Sequence, residues 1–207
     1  MKGALVVISL PGILGGMGGK RSDTRQAILE AAYALFFRRG FARVSVDAIA
    51  EKAGVTKRTV YFHFTSKDDI TAAALEVQHL SLMAQYRSWM RPDAGTVQAF
   101  LAHLFDSLRN WAERPGWVGS GYSRISVELA DMRGHPARKA AHRHKAEVER
   151  WLCEQLQGFG SQEPARLAQQ VLIQIEGGMG LALIHGDPSY LIAARDAALR
   201  LAEGDAA

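Results

Sequence analysis

The stretch that decides the fold reads Phe41-Ala-Arg-Val-Ser-Val-Asp-Ala-Ile-Ala-Glu-Lys-Ala-Gly-Val-Thr-Lys-Arg-Thr-Val-Tyr-Phe-His-Phe-Thr-Ser-Lys67. Ser45 stands where a helix needs an N-cap, its hydroxyl placed to accept a backbone N–H of the first turn. Val46, Ile49, Ala50 and Ala53 follow at helical spacing. Gly54 then supplies the left-handed residue that commonly ends a helix. Thr56 caps a second short helix, whose Val60 points back at the first across the small Ala50. Two short helices joined by a Gly turn, the second presenting polar and basic residues outward, make a helix-turn-helix.

With Val60 inward, Lys57, Arg58, Thr59 and Tyr61 project from the opposite side, and His63 and Lys67 extend the polar edge. Lys and Arg bind phosphate or a guanine edge, and Thr offers a hydroxyl and a methyl to base edges. The tyrosine supplies a phenol for phosphate and a ring for sugar or base. This face suits a recognition helix in a major groove, flanked by phosphate anchors. The competing reading is a plain helical hairpin with a solvated face.

The order Phe41, Val44-Ser45-Val46, Ile49-Ala50, Ala53-Gly54-Val55-Thr56-Lys57, Thr59-Val60-Tyr61-Phe62-His63-Phe64, Ser66-Lys67 closely resembles the DNA-binding domain of TetR-family transcriptional regulators. The resemblance runs from near Thr24 to near Leu75. It implies that Ser45 and Thr56 lie at helix starts near phosphate. Lys57, Arg58, Thr59 and Tyr61 would face the groove, and His63 and Lys67 would hold the backbone. Arg58 stands where a small residue, often Gly, is frequent in that family, so the bases read here are expected to differ.

Charge supports the assignment. From Gly18 to Lys67 there are ten Lys and Arg against four Asp and Glu; from Asp68 onward, fourteen against seventeen. The basic surplus sits on the segment expected to meet phosphate. The length, 207 residues, suits one or two domains with a sizeable core. A single cysteine, Cys153, excludes an internal disulfide and a Cys-built zinc site. A partly buried inert thiol is preferred there over a redox sensor.

Residues 1–19 differ from the rest: Lys2, an apolar run from Ala4 to Leu10, Pro11, then glycines. The run is too short to span a membrane. A disordered tail is expected, preferred over a signal peptide; a start at Met17 is an alternative. Lys20, Arg21 and Arg25 suit a basic arm on the DNA backbone. The first helix is predicted from near Asp23 or Thr24 to Arg39, with Ile28, Ala31, Ala32, Leu35 and Phe36 packing on the helix-turn-helix, and Phe41 and Phe64 completing that core. Helix 4 begins at Ser66, with Asp69 at the reciprocal capping position, and runs to about Met90 before Pro92.

Further helices follow: Gly95 to about Glu113; Gly121 to Met132, with Tyr122, Ile125, Leu129 and Met132 on one face; Pro136 to about Gln157; Ala165 to His185; Pro188 to Ala202. The fold class is therefore all-α: an N-terminal three-helix helix-turn-helix domain (20–67) and a C-terminal helical bundle for ligand binding and dimerisation (68–207), about nine helices in total.

The C-terminal part shows no catalytic constellation, so no enzyme, cofactor or metal is expected. The cluster Gly177, Gly178, Gly180 lies in an apolar helix and follows no strand, which excludes a nucleotide fingerprint. Helices 8 and 9 are apolar on more than one side and need two burial partners. In TetR relatives such helices pair with those of a second subunit, which implies a homodimer here; internal burial in a monomer is the alternative. On helix 7, His142 falls on a solvated face and His144 on the inward stripe with Val148 and Trp151. A core or pocket histidine is preferred there over a metal ligand. Together with Phe105, Trp111, Tyr122 and Ile125, these three compose a candidate apolar ligand site with polar anchors.

The expected function is a cytoplasmic, membrane-free, sequence-specific regulator that binds double-stranded operator DNA. A repressor released by an unknown small apolar or aromatic inducer is favoured, as the TetR resemblance implies. The alternative is a helical-bundle enzyme or small-molecule carrier in which the helix-turn-helix only packs.

Overall fold

In the chain order of the computed structural model, helices run α1 (Lys20–Arg39), α2 (Val46–Ala53), α3 (Lys57–His63), α4 (Lys67–Ser88), α5 (Val97–Ala112), α6 (Gly121–Glu128), α7 (Pro136–Gly158), α8 (Pro164–His185) and α9 (Ser189–Asp205). The structure describes residues 20–90 and 95–205, and among them all regular structure is helical. The expected tail of residues 1–19, the alternative start at Met17, the Lys20 side chain and Pro92 lie outside the described residues.

The helices assemble into two compact units that do not follow chain order. Of the described residues, one unit holds those up to Leu82 together with Gly121–Arg143; the other holds those from Met83 to Ser120 and from His144 to Asp205. Helices α4 and α7 each contribute residues to both.

The first unit contains two cores. In one, Ile28, Leu29, Ala32 and Leu35 of α1 meet Ile49 and Ala50 of α2, Val60 of α3, Phe64, and Ile70 and Ala74 of α4. This fixes the angle between the two short helices. At seven residues, α3 is far too short to persist alone, so its helicity comes from this packing and its cap. Phe64 joins this core as the sequence predicts; Phe41 does not. Phe41 enters the second core, with Leu75, Tyr122, Ile125, Leu129, Ala137, Ala140 and Ala141.

Helix α6 stops at Glu128 rather than Met132. The chain leaves through tight turns, Ala130 N–H donating to Val127 O and Met132 N–H to Leu129 O. Met132 is consequently 46 % exposed and not on the inner face with Tyr122 and Ile125. At α4, the Ser66 hydroxyl accepts the Asp69 N–H, and the Asp69 carboxylate accepts the Thr65 N–H. The reciprocal cap thus reaches one residue further back than expected.

The second unit buries Phe100, Leu101, Leu104, Phe105 and Leu108 of α5 against Val148, Trp151 and Leu152 of α7 and Val171, Ile175 and Met179 of α8. Cys153 is free and partly buried against the same cluster. Helix α9 lies close on α8: a Cβ built at Gly178 would stand 3.0 Å from both Ala194 Cβ and a Leu191 methyl. Asp106 of α5 and Arg195 of α9 form an ion pair at 3.1 Å. Among the described residues α8 alone is long and apolar enough to cross a membrane by length and composition, a property shared by core helices of soluble bundles.

Candidate nucleic-acid interface

The two short helices owe their ends to specific hydrogen bonds. Ser45, extended at φ −91° and ψ 158°, accepts the Ala48 N–H on its hydroxyl. At the other end of α2, Gly54 N–H donates to Glu51 O and Val55 N–H to Ala50 O, a Schellman termination. Gly54 has φ +68°, and a Cβ there would meet nothing within 4 Å. Its backbone angle, not crowding, therefore calls for glycine. Thr56 then caps α3, its Oγ1 accepting the Thr59 N–H at 3.1 Å, and the two threonine hydroxyls lie 2.8 Å apart.

These caps turn a defined face outward. Val60 is fully buried, whereas Lys57, Arg58 and Tyr61 are exposed. At 100° per residue, the positions opposite Val60 are 58 and 62, one turn apart. Arg58 and Phe62 therefore stand furthest out, and Phe62 is 65 % exposed with the Arg21 guanidinium 4.8 Å from its ring centre. Sequence reasoning used Phe62 as a family marker and overlooked its position on the outer face, although the helical period carries that signal. Arg25 covers the Phe64 ring at 5.0 Å.

Lys57 Nζ lies 2.9 Å from an Asp47 carboxylate oxygen. This hydrogen bond raises the lysine pKa. Both side chains are largely solvated, so the pair adds little to stability. His63 packs edge-on to Phe62. Lys67 faces inward: its Nζ donates to Phe41 O at 3.2 Å and sits 4.1 Å from the centre of the Phe41 ring.

The α1–α2 turn is held from α6. Glu128 accepts the N–H of Phe41 at 2.9 Å and of Ala42 at 2.6 Å, one on each carboxylate oxygen. Arg124 donates to Phe37 O at 3.0 Å, and the Tyr122 hydroxyl to Leu75 O at 2.5 Å. Burial pushes the Tyr122 phenol far above its ordinary pKa, so it stays a donor. Nothing in the sequence points to Glu128 in this role, since a pair 86 or 87 residues apart leaves no local signal. His135, buried, accepts the Ala137 N–H on Nδ1 at the start of α7 and stands edge-on to Phe41.

The seven candidate ligand residues divide between the units. Tyr122 and Ile125 belong to the core with Phe41 and Leu75, and Ile125 lines a narrow pocket with Tyr33, Phe37, Arg124 and Glu128. Phe105, Val148 and Trp151 belong to the other core, with Trp111 packed on it and His144 buried in the same unit. That second unit carries a run of aromatic contacts: Tyr86 on Trp89 and Trp151, Trp89 on Trp111, and Trp111 on Trp117.

A capped three-helix head with an outward cationic and aromatic face, carried on an all-helical chain, defines a helix-turn-helix protein. Residues 28–74 match the family model for bacterial regulatory proteins, tetR family. A TetR transcriptional regulator from Streptomyces avermitilis is similar over 84 % of this chain and 97 % of its own, at 30 % identity and TM-score 0.73. The chain belongs to the TetR family. Reduced NemR from Escherichia coli, at 21 % identity and TM-score 0.74, shares the fold. TtgR of Pseudomonas putida is 44 % identical over 91 residues, 42 % of this chain and 43 % of that regulator. YdeS of Bacillus subtilis, an HTH-type transcriptional regulator, is 38 % identical over 112 residues, 52 % of this chain and 54 % of its own. The chain thus spans about half the length of the curated relatives it matches.

Proposed function

We propose that the chain is a cytoplasmic, sequence-specific DNA-binding repressor that works as a homodimer and leaves its operator when a small apolar or aromatic ligand binds. The observation that carries the reading is the outer face of α3, where Arg58 and Tyr61 stand exposed on a helix whose register Val60 and Thr56 hold. Arg58 suits a guanine edge, with Lys57, Thr59 and Tyr61 beside it. Ser45 and Thr56 stand at helix starts where phosphate is favoured, and His63 closes the edge; Lys67 would join it only by leaving Phe41 O. Family membership supports regulation over catalysis, and the enzyme or carrier reading has no observation of its own. Selection of binding sites from random duplexes tests the proposal: one enriched, near-palindromic motif is expected, and failure to enrich any motif overturns it.

Helices α8 and α9 are the dimer contact in this reading. Ile173, Gly177, Gly180, Leu181 and Ile184 form one exposed stripe on α8, with Ile173 63 % and Ile184 75 % exposed. An apolar stripe of that length on a soluble protein calls for a partner.

For the ligand, the aromatic run about Tyr86, Trp111 and Trp151, with His144 as a polar anchor, has the composition of a small-molecule site. The sequence candidates Phe105 and Val148 lie in the same core, and Tyr122 and Ile125 in the core of the DNA-reading unit. The ligand must bind the DNA-free state more tightly, and DNA must weaken ligand binding by the same factor.

A further inference from the structure

One strongly charged surface lies outside the recognition helix. Arg133, Arg138, Lys139, His142 and Arg143, with Gly134, line a single open concavity where α6 hands over to α7. Arg143 is paired with Glu76 of α4. Arg133, Arg138 and Lys139 have no carboxylate partner among the described residues, although Arg138 also donates to Ala130 O at 2.9 Å.

Two contacts show which end of the unit this surface occupies. His135 Nε2 lies 3.3 Å from Asp68, and Arg143 meets Glu76. Both pairs have the same sequence offset, so the start of α7 runs parallel to the start of α4, level with it. At 1.5 Å per residue, Arg138 and Lys139 lie only about 5–6 Å further along than His135. Arg133 lies in the turn before it, towards the beginning of α4. Helix α4 starts at Lys67, four residues after α3 ends at His63. The cations therefore flank the exit of the recognition helix, within the same compact unit.

We propose that Arg133, Arg138 and Lys139 form a second phosphate-binding surface for the duplex that α3 reads, extending the footprint along the DNA backbone. The inference rests on the DNA-binding reading above and adds to it a contact from the α6–α7 turn. Phosphate contacts position a protein and carry no base preference, so this surface sets affinity and salt dependence and leaves specificity to α3. Of the nearby acids, Glu76 faces Arg143 and Glu128 is taken up by two backbone N–H groups, Asp68 is turned to His135, and Asp131, exposed two residues before Arg133, does not line the concavity.

The test compares the full-length chain with its Arg133→Ala/Lys139→Ala double variant on the selected operator. Both side chains are exposed, so folding should survive; the charge-conserving Arg133→Lys/Lys139→Arg variant controls for packing. The log–log dependence of affinity on salt should flatten by about two units in the alanine variant, at about 0.9 per phosphate, and stay as steep in the charge-conserving one. Phosphate-ethylation interference should disappear at backbone positions outside those beside α3, and the selected motif should not change. An unchanged slope with an unchanged interference pattern overturns the surface while leaving the DNA reading standing. So does a saturable melting-temperature rise with inorganic phosphate that the variant loses while its DNA slope stays the same. If the unaltered chain binds no duplex at all, the DNA reading falls and the surface with it.

Discussion

Glu128 holds the backbone N–H of Phe41 at 2.9 Å across 87 residues of sequence, while its second oxygen holds Ala42. A carboxylate from α6 thereby fixes the turn from which α2, and so the recognition helix, sets out. Gly40 allows this through its φ of +80°, which residues with side chains rarely adopt; a Cβ there would make ordinary contact with the Glu128 carboxylate oxygens at 3.4 Å.

Replacing Glu128 by Ala should strand two N–H groups and destabilise the chain by about 1–3 kcal/mol. Urea denaturation is the measurement, and operator affinity should fall as the head loosens. A variant as stable as the parent would show that water replaces the carboxylate without loss.

Thr56→Ala should cost about 1 kcal/mol through loss of the α3 cap. The effect on DNA binding should exceed that on stability, because Thr59 also loses the hydroxyl that sets its rotamer at 2.8 Å. Titration calorimetry against operator, set beside melting curves, separates the two; equal losses would place Thr56 in folding alone.

Arg58→Ala should relax the preference at one operator position by about 1–3 kcal/mol, whereas Lys57→Ala should weaken all sequences alike. Mismatch-scanned operator duplexes distinguish these patterns. Uniform weakening by Arg58→Ala would reassign that residue to phosphate.

Ile184→Glu should break the dimer, since the side chain is exposed in the single chain and its change leaves the internal core intact. An unpaired carboxylate in an apolar contact costs several kcal/mol. Sedimentation equilibrium reads the result, and an unchanged dimer would move the interface elsewhere. Met179 is a poorer probe, being buried within the chain itself.

Helices α2 and α3 were legible because each of their ends is written locally, in Ser45, Gly54 and Thr56, and their inner faces in a short apolar period. The nine helices among the described residues carry the same signals further along. What could not be read was the partnership of distant segments. Nothing near Phe41 announces that it packs with Tyr122 and Leu75 instead of Phe64, and nothing near Glu128 names the turn it holds. Grouping Tyr122 and Ile125 with Phe105 and Trp151 followed inward stripes, but a stripe says only that a residue is buried, not in which core. Met132 kept the period of α6 on paper and lost it where the helix ended one turn early.

The three glycines of α8 stand in unequal positions. Gly178 makes room for α9, but Cβ atoms at Gly177 and Gly180 would meet nothing within 4 Å. A glycine inside a helix forfeits about 1 kcal/mol relative to alanine, and at these two places the isolated chain gains no closer packing in return. With α8 as the proposed dimer contact, folding and assembly would make opposite demands on the same backbone. Alanine at either position should raise the melting temperature of a separated protomer and, by pushing an approaching helix outward, weaken association. A screen for heat resistance alone would then favour variants that fold better and assemble worse.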